Sequence, residues 1–355
     1  MRRRPWLSGA VTTAAVLAVL VTVPAADRVT VTEVPCDPTG AALRVAVNAA
    51  RSGDTLVLAA GCVYSIAAPD HNRDTALPVI AKTLTILGNG ATVQRDPAAR
   101  AHFRIFKVVA PGDLRLDSLT VRYGHAPNAG GAVLLGGGRL TLSHSAIVDN
   151  TADLVGGGIN EANGILTATD SVLSHNTAAA GSGGMLMDGG SATFTRSRID
   201  GNSAGGVGGG IGGVGVAPKL TLTHSWVTGN IAEFGAGLMN DGTATLDHTT
   251  VSGNTATGVN ARGGGIENDG TLALDNSTVT GNRVIGANPR GGGLFNVGDA
   301  TLTDSPVTGN HAEGSGEQGG GIFGHVPPGT VRIIGHTVAD NSPDQCGTPS
   351  TVPGC

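Results

Sequence analysis

The sequence predicts an all-β fold: a single-stranded, right-handed parallel β-helix of about ten coils, with three short strands per coil and an N-terminal helical cap. Three observations predict it. One asparagine recurs every 24 to 31 residues from residue 150 to residue 341. Apolar residues two positions apart precede each of these asparagines, which is the spacing of a β-strand. The composition is rich in glycine and poor in aromatic side chains, which indicates a narrow interior.

The composition sets the first limits. Glycine accounts for 58 of the 355 residues, whereas aromatic residues make up only 3%. So few large side chains cannot fill the core of a broad globular domain. The glycines occur in clusters of two and three without a three-residue period, which excludes a collagen helix. Hydrophobic residues reach 40% and charged residues only 14%, so we expect a folded chain.

Residues 1–26 are typical of a signal peptide. Arg2, Arg3 and Arg4 precede an apolar run over 11–23, and Ala25 supplies a small residue for cleavage. The alternative is a retained membrane anchor, but the run is shorter than the roughly 20 residues that a span needs. We therefore expect a secreted protein, either extracellular or associated with the cell wall. Without the leader, 19 basic residues face 27 acidic ones, a formal charge of −8, which argues against nucleic acid or anionic membrane as a partner.

The rest of the chain divides into a cap module (27–75), the β-helix repeats (76–342) and a C-terminal tail (343–355). All four cysteines lie beyond the leader, and an even number in an exported chain indicates two disulfides with three possible pairings. Proximity in sequence favours Cys36 with Cys62 and Cys346 with Cys355. A metal site is the alternative, but none of the cysteines forms a Cys-x-x-Cys pair.

The repeat is defined by eight asparagines, namely Asn150, Asn176, Asn202, Asn230, Asn254, Asn282, Asn310 and Asn341. Apolar side chains lie eight and ten residues before each of them, such as Leu142 and Leu140. Five residues before lies serine or threonine in every repeat except the last, which has His336. Stacked coils would place the asparagines about 4.8 Å apart in one column, where their amides can form a hydrogen-bonded ladder. We interpret these asparagines as structural rather than ligand-binding.

The third predicted strand of each coil begins at a glycine cluster followed by an aliphatic residue, as in Gly263-Gly264-Gly265-Ile266. One coil cannot hide its own apolar face, so the core must come from stacking, and parallel crossovers favour a right-handed coil. Before the repeats, residues 41–50 favour a helix and residues 55–58 and 63–66 favour strands. We expect this helix to cover the open end of the solenoid, where strand edges would otherwise be exposed.

The segment from Cys36 to Ala50, continuing to Gly53-Asp54-Thr55, resembles the Cys-Ser-Leu-Arg-Glu-Ala type module at the start of many secreted bacterial β-helix proteins. The repeats are similar to those of polymorphic outer membrane proteins and, more distantly, of the pectate-lyase-like fold. The second repeat motif of that group, Phe-x-x-Asn, is kept here as aliphatic-x-x-Asn. The resemblance covers residues 36 to 341, and it implies a coil without catalytic residues to carry over.

No catalytic residue is assigned from the sequence. Glycosidase chemistry needs two carboxyl groups, and the patterns Asp-Asp, Asn-Thr-Asp, Gly-His-Gly and Arg-Ile-Lys are all missing. The position after the glycine-cluster aliphatic should point outward, and its occupants are mixed: Asn160, Leu186, Gly212, Met239, Glu267, Phe295 and Phe323. The best remaining charged group comprises Glu267, Asp269, Glu313 and Glu317 with Arg262 and Arg290, on or beside the late variable loops.

Three histidines, His144, His224 and His248, recur six residues before the ladder asparagine. Stacked imidazoles can bind a metal ion, but the same column carries aspartate, arginine and asparagine, so we interpret these histidines as solvated corner residues. We expect neither a metal nor a cofactor.

The sequence favours a secreted, non-catalytic scaffold that displays loops for binding to a cell surface, a polysaccharide or a protein. The alternative is a polysaccharide lyase or glycoside hydrolase that acts along the elongated face. The expected partners are a polysaccharide or a cell-surface protein, with no nucleic acid and no membrane span in the mature chain. The oligomeric state is left open.

Overall fold

The computed structural model describes residues 29–72, 74–325, 329–336, 338–347 and 352. The predicted leader, residues 1–26, lies outside the described residues. The described chain forms a parallel β-solenoid, as the repeat predicted, with about 11 turns where about ten were expected. The strands are joined in four sheets that run along the stack, and in each sheet a strand pairs with its counterparts in the adjacent coils.

The first and second sheets carry most of the alternating apolar residues. The first sheet contains β1 (Val31–Val34), β2 (Thr55–Leu58), β4 (Thr83–Leu87), β7 (Asp113–Asp117), β11 (Arg139–Ser143), β15 (Ile165–Thr169), β19 (Ser191–Thr195), β23 (Lys219–Thr223), β27 (Thr243–Asp247), β31 (Thr271–Asp275), β35 (Asp299–Thr303) and β39 (Val331–Ile334). The second contains β3 (Val63–Ile66), β5 (Thr92–Arg95), β8 (Thr120–Arg122), β12 (Ala146–Val148), β16 (Val172–Ser174), β20 (Arg198–Asp200), β24 (Trp226–Thr228), β28 (Thr250–Ser252), β32 (Thr278–Thr280), β36 (Val307–Thr308) and β40 (Val338–Ala339).

The third and fourth sheets complete each coil. The third contains β9 (His125–Ala126), β13 (Thr151–Ala152), β17 (Thr177–Ala178), β21 (Ser203–Ala204), β25 (Ile231–Ala232), β29 (Thr255–Thr257), β33 (Arg283–Ala287) and β37 (His311–Ser315). The fourth contains β6 (Phe106–Val109), β10 (Val133–Gly136), β14 (Ile159–Ala162), β18 (Met185–Asp188), β22 (Ile211–Val214), β26 (Leu238–Asn240), β30 (Ile266–Asn268), β34 (Leu294–Asn296) and β38 (Ile322–Gly324).

Each regular coil therefore has four strands rather than the three that the sequence predicted. The additional strand follows the ladder asparagine directly, and β13, for example, covers only Thr151 and Ala152. A two-residue strand is too short to show alternation in the sequence. It is nevertheless recognisable in the structure, because Ala152 points inward and is buried while its neighbours pair from coil to coil.

The core is a column of aliphatic side chains in register. The residues ten before each ladder asparagine lie opposite one another in the first sheet, and all are buried: Leu140, Leu166, Ala192, Leu220, Ala244, Leu272, Ala300 and Val331. Large and small residues alternate along part of this column, which lets neighbouring coils interdigitate. This confirms the predicted narrow, aliphatic interior.

The predicted asparagine ladder is confirmed. Each of the seven steps joins the side-chain Nδ2 of one asparagine to the Oδ1 of the next at 2.9 to 3.0 Å. The same Oδ1 accepts the backbone N–H of the preceding asparagine, so a buried turn amide is satisfied in every coil. Gly124, which occupies the asparagine position one coil earlier, donates its N–H to Asn150 at 2.9 Å.

A second column lies at the serine corner. The Ser145 N–H donates to Ser171 Oγ at 3.2 Å, and later coils repeat this contact. At the irregular last repeat, the Ser305 N–H donates to His336 Nδ1 at 3.1 Å, so an imidazole nitrogen replaces the hydroxyl. The residue before each serine has left-handed backbone, as at His144 (φ 47°) and Asp170 (φ 49°).

The N-terminal helix α1 (Ala41–Ala49) lies within the predicted segment and ends one residue earlier. It begins after Gly40, whose φ of 70° suits a glycine, and it buries Leu43 and Val47. The Lys82 ammonium donates to the Val47 carbonyl at 2.8 Å, which satisfies a carbonyl in the last turn. A short 3₁₀ helix, Asp70–Asn72, follows β3.

The predicted Cys36–Cys62 disulfide is present and ties the segment before α1 to the start of β3. The predicted pair of Cys346 with Cys355 involves a cysteine that lies outside the described residues. Among the helices of the described chain, none has the length and apolar character that a bilayer span requires.

Candidate functional site

Two parallel rows of side chains lie against the outer face of the fourth sheet in its later coils. The first row is formed by residues that directly follow the inward aliphatic of each strand, and it is aligned by strand register: Met239, Glu267, Phe295 and Phe323. The second row belongs to the preceding loops and is aligned by single bridges: Phe234, Arg262, Arg290 and Gln318. We call the cluster of Phe234, Arg262, Glu267, Arg290, Phe295 and Phe323 the Arg–Phe strip.

A glycine turn brings the two rows together. Gly263 has a φ of 62°, and the chain reverses there between Arg262 and strand β30. A Cβ on Gly263 would lie 2.7 Å from the Ile266 carbonyl oxygen, so the turn has no room for a side chain. The glycine cluster thus places the last loop residue beside the first outward residue of the strand.

Arg262 is the centre of the strip. Its Nε donates to Glu267 Oε1 at 2.6 Å. Its guanidinium carbon lies 4.7 Å from the ring centre of Phe234 and 5.1 Å from that of Phe295. A guanidinium at these distances from an aromatic face is held by cation–π attraction. Arg262 therefore bridges three coils.

Arg290 repeats the arrangement one coil later. Its guanidinium carbon is 5.1 Å from the ring centre of Phe323. The rings of Phe295 and Phe323 are parallel within 1°, with centres 5.4 Å apart. Phe295 and Glu267 are buried and form the floor of the strip, whereas Phe234, Arg262, Arg290 and Phe323 are partly exposed. The surface that a ligand can reach is thus made of two rings and two guanidinium groups.

Glu267 has unusual electrostatics. Its side chain is fully buried, and burial raises its pKa to about 7, although the Arg262 charge acts against the rise. Within the described chain, Glu267 Oε2 and Arg290 Nε are buried without a hydrogen-bond partner. A buried polar atom in this condition is costly unless something else satisfies it.

An acidic groove adjoins the strip where the fourth sheet turns into the first. It has a volume of about 300 Å³ and is lined by Asp269, Asp299 and the turn glycines Gly270 and Gly298. Desolvation raises the pKa of Asp269 against the opposing charge of Arg262. Asp241, one coil earlier, also has a raised pKa because of burial and the nearby Asp269.

The structure separates the charged residues singled out in the sequence into three places. It brings Arg262, Glu267 and Arg290 together in the strip, with Asp269 at its edge. Glu313 belongs to the third sheet, where its Oε2 accepts from Arg283 Nη2 at 2.7 Å. Glu317 is exposed in the connection that leads to β38.

The aromatic partners were missed by the sequence analysis. Phe295 and Phe323 stood in an outward row that looked mixed, and Phe234 was not considered. Aligning the residues that lie four positions before the aliphatic residue of each glycine cluster would have revealed them. These residues form single bridges from coil to coil and lie beside the outward residues of the following strands.

The three recurrent histidines lie exposed at left-handed corners, which is the position predicted for them. His224 and His248 stack with ring centres 4.8 Å apart. His144 is separated from them by two intervening coils and lies between Asp117 at 3.9 Å and Asp170 at 3.8 Å. All three have positive φ, from 47° to 50°.

No protein-family model matches the chain, and no curated protein matches it. Among solved structures, the crystal structure of pectate lyase Pel9A aligns with 92% of this chain and 81% of its own, at 14% sequence identity and a TM-score of 0.45. The resemblances to the Cys-Ser-Leu-Arg-Glu-Ala module and to polymorphic outer membrane protein repeats stay predictions.

Proposed function

We propose that the protein is a secreted, non-catalytic β-helix scaffold that binds an extracellular polysaccharide along the Arg–Phe strip. One observation carries the proposal. Three of the six phenylalanines and two arginines converge on one outer face, in a chain with very few aromatic residues. Elsewhere the same outward row holds asparagine, leucine and glycine.

The geometry of the strip suits a linear polymer. Its members step along the stack by one strand separation, about 4.8 Å, which is comparable to the length of one sugar in an extended chain. Aromatic faces can pack against the apolar faces of sugar rings, and guanidinium groups can donate paired hydrogen bonds to hydroxyls or carboxylates. Because the rings and guanidinium groups already hold each other in place, little side-chain conformational freedom is lost on binding.

Binding to a panel of acidic and neutral polysaccharides tests the proposal. Phe323→Ala and Arg290→Ala each remove an exposed part of the strip, and we expect each to weaken binding by about tenfold or more. Trp226→Ala is the matched control, because Trp226 is 43% exposed but lies on the second sheet. Loss of binding in the tryptophan variant alone would place the binding site on the second sheet and refute the strip as the site. Failure of every polysaccharide to bind would refute the ligand class.

A polysaccharide lyase or glycoside hydrolase is the second candidate, and the state of Glu267 favours it. A carboxyl group with a pKa of about 7 beside an arginine can exchange protons near neutral pH. Because Glu267 is the buried floor of the strip, this candidate also requires the side chains above it to move before a polymer can contact it. This candidate predicts depolymerisation of a bound polysaccharide that Glu267→Gln abolishes while binding persists. Intact polymer after prolonged incubation with the wild-type protein would refute it.

The proposal includes export of the protein and the division of its sequence into segments. We infer that residues 1–26 are a leader, that residues 27–75 form the cap module, and that residues 343–355 form a tail after a right-handed coil of repeats. The disulfide between Cys36 and Cys62 supports an oxidising compartment. N-terminal sequencing of the protein recovered outside the cell should begin near residue 26 or 27. Recovery of the protein in the membrane fraction with residues 1–26 still attached would contradict export.

A further inference from the structure

A cluster of two histidines and an aspartate lies on the third sheet, away from the Arg–Phe strip. His125 begins β9, the edge strand of that sheet, and Asp153 follows β13, the next strand. Thr151 pairs with His125, so Asp153 lies two positions further along the neighbouring strand and shares the outward face with His125. His102 comes from a third segment, which crosses the edge strand in the antiparallel direction through a bridge between Phe103 and His125.

The three side chains converge on the carboxylate. His125 Nε2 is 2.7 Å from Asp153 Oδ1, and His102 Nδ1 is 3.2 Å from Asp153 Oδ2. The two imidazole rings stack with centres 3.6 Å apart and 21° between their planes. The three nitrogen and oxygen atoms that can act as ligands all lie within 4.8 Å of one another.

The surroundings hold this arrangement in place. The His125 N–H donates to the Phe103 carbonyl at 3.0 Å, and the Asp153 N–H donates to the Ala126 carbonyl at 2.9 Å. Phe103 is fully buried, as is the neighbouring Arg104, whose Nη2 donates to the Ala129 carbonyl at 3.1 Å. These contacts anchor the crossing segment after His102, and before it the Arg95 Nε donates to the Ala101 carbonyl at 2.9 Å. The cluster is therefore built on a fixed backbone rather than on a mobile loop.

We propose that His102, His125 and Asp153 form a binding site for a divalent transition-metal ion of the zinc class. Two imidazole nitrogens and one carboxylate oxygen are ligands that Zn²⁺, Ni²⁺, Co²⁺ and Cu²⁺ accept, whereas Ca²⁺ and Mg²⁺ prefer oxygen ligands.

The fit requires little movement. Tetrahedral ligands about 2.1 Å from a zinc ion lie roughly 3.4 Å from one another, and the three candidate ligand atoms already lie within 4.8 Å of one another, so shifts of about 1 Å suffice. Small rotations of the two stacked rings can supply them. His102 and Asp153 are 45% and 42% exposed, so the ion would keep at least one position open to solvent or to an additional ligand.

Titration of the purified, metal-stripped protein with Zn²⁺ tests the site by calorimetry, and Co²⁺ absorption in the visible region reports the coordinating groups. We expect a single equivalent to bind, and we expect binding to weaken by about tenfold or more in His102→Ala and in Asp153→Asn. Acidification should release the ion, because protons compete for the imidazole nitrogens. A tenfold excess of Ca²⁺ should not displace it.

His248→Ala is the matched control. His248 is also an exposed, stacked histidine beside an aspartate, since its Nδ1 lies 2.6 Å from Asp247 Oδ1. Among the described residues, however, no carboxylate contacts both His248 and its stacking partner His224. This variant should bind the metal as the wild type does. Absence of binding in the wild type would overturn the proposal, and so would equal binding by the wild type and a His102→Ala/Asp153→Asn double variant. Displacement by Ca²⁺ would also overturn it, because it would indicate an all-oxygen site.

Discussion

Glu161 allows the buried electrostatics of the solenoid to be tested by a single substitution. It lies on β14 with its side chain inside the coil, where it is fully buried. Its Oε1 accepts the Gly164 N–H, but its Oε2 has no hydrogen-bond partner among the described residues. Burial raises the pKa of Glu161 to about 8, and the nearby Asp188 carboxylate adds to the rise. Glu161→Gln imitates the protonated form, because the amide has the same shape and no charge.

The size of the pH effect on stability follows from the difference between the pKa values of Glu161 in the folded and unfolded states. In the unfolded chain this carboxyl ionises with a pKa of 4.5, whereas in the folded protein it keeps its proton up to about pH 8. The folded state thus binds the proton more tightly, so its stability is greatest at low pH and falls as the pH rises through this interval. At about 1.4 kcal/mol per pH unit, the wild type should lose about 3–4 kcal/mol between roughly pH 5 and pH 8 through this group.

The assay compares urea unfolding of the wild type and Glu161→Gln across this pH range. Other carboxyls with raised pKa values, such as Glu267, are present in both proteins and cancel in the difference. We expect the variant to gain stability relative to the wild type as the pH rises. Glu33→Gln, which changes an exposed carboxylate on β1, should keep the wild-type profile. Parallel profiles for the wild type and Glu161→Gln would refute the reasoning.

Three further predictions concern the scaffold. Asn230→Ala removes four buried ladder hydrogen bonds and should lower the free energy of unfolding in urea by about 4 kcal/mol. Asn260→Gly is the control, because Asn260 is exposed and has a left-handed backbone that glycine adopts easily. Replacing Cys36 and Cys62 with serine opens a loop of 26 residues, and thermal unfolding should show a loss of about 3–4 kcal/mol. Phe194→Ala leaves a cavity in the core and should cost about 3–5 kcal/mol by the same urea measurement.

The regular part of the fold was predictable because stacking makes every coil repeat the same constraints. Asn150 and its seven counterparts must satisfy the same turn, so the sequence keeps one residue type at one register. The core positions, such as Leu140 and Leu166, follow the same logic because each needs an apolar neighbour above and below. Even the exception was informative, since His336 performs in the last repeat the acceptor role that serine has elsewhere.

The candidate sites were harder to predict because their members come from different segments. Arg262 and Phe234 belong to loops of different length, so counting from the ladder asparagine does not align them. His102, His125 and Asp153 lie 23 and 28 residues apart, on a crossing segment, on a strand and directly after a second strand, and no short motif joins them. Convergence of this kind depends on which coil lies next to which, and the early coils lack the ladder asparagine that marks the register.

A second amide ladder inside the fourth sheet explains why Glu161 differs from its counterparts. Asn240 donates to Asn268, and Asn268 donates to Asn296, each at 2.7 Å, in an inward column that the sequence analysis did not identify. Strand register places Glu161 in that same column three coils before Asn240, but its neighbours there are Leu135 and Met187. An asparagine in this column can pair with an identical side chain in the next coil, because an amide both donates and accepts.

A carboxylate cannot form such a pair with its apolar neighbours, so the same position that stabilises the late coils raises the pKa of Glu161 in the earlier one. The chemistry of a residue in this solenoid is therefore set by its neighbours one coil away more than by its own place in the repeat. On the outer face, Glu267 depends instead on a neighbour in its own coil. Its neighbour in the loop row is an arginine, and the burial that would otherwise keep it neutral is opposed by that charge, which leaves its pKa near neutrality.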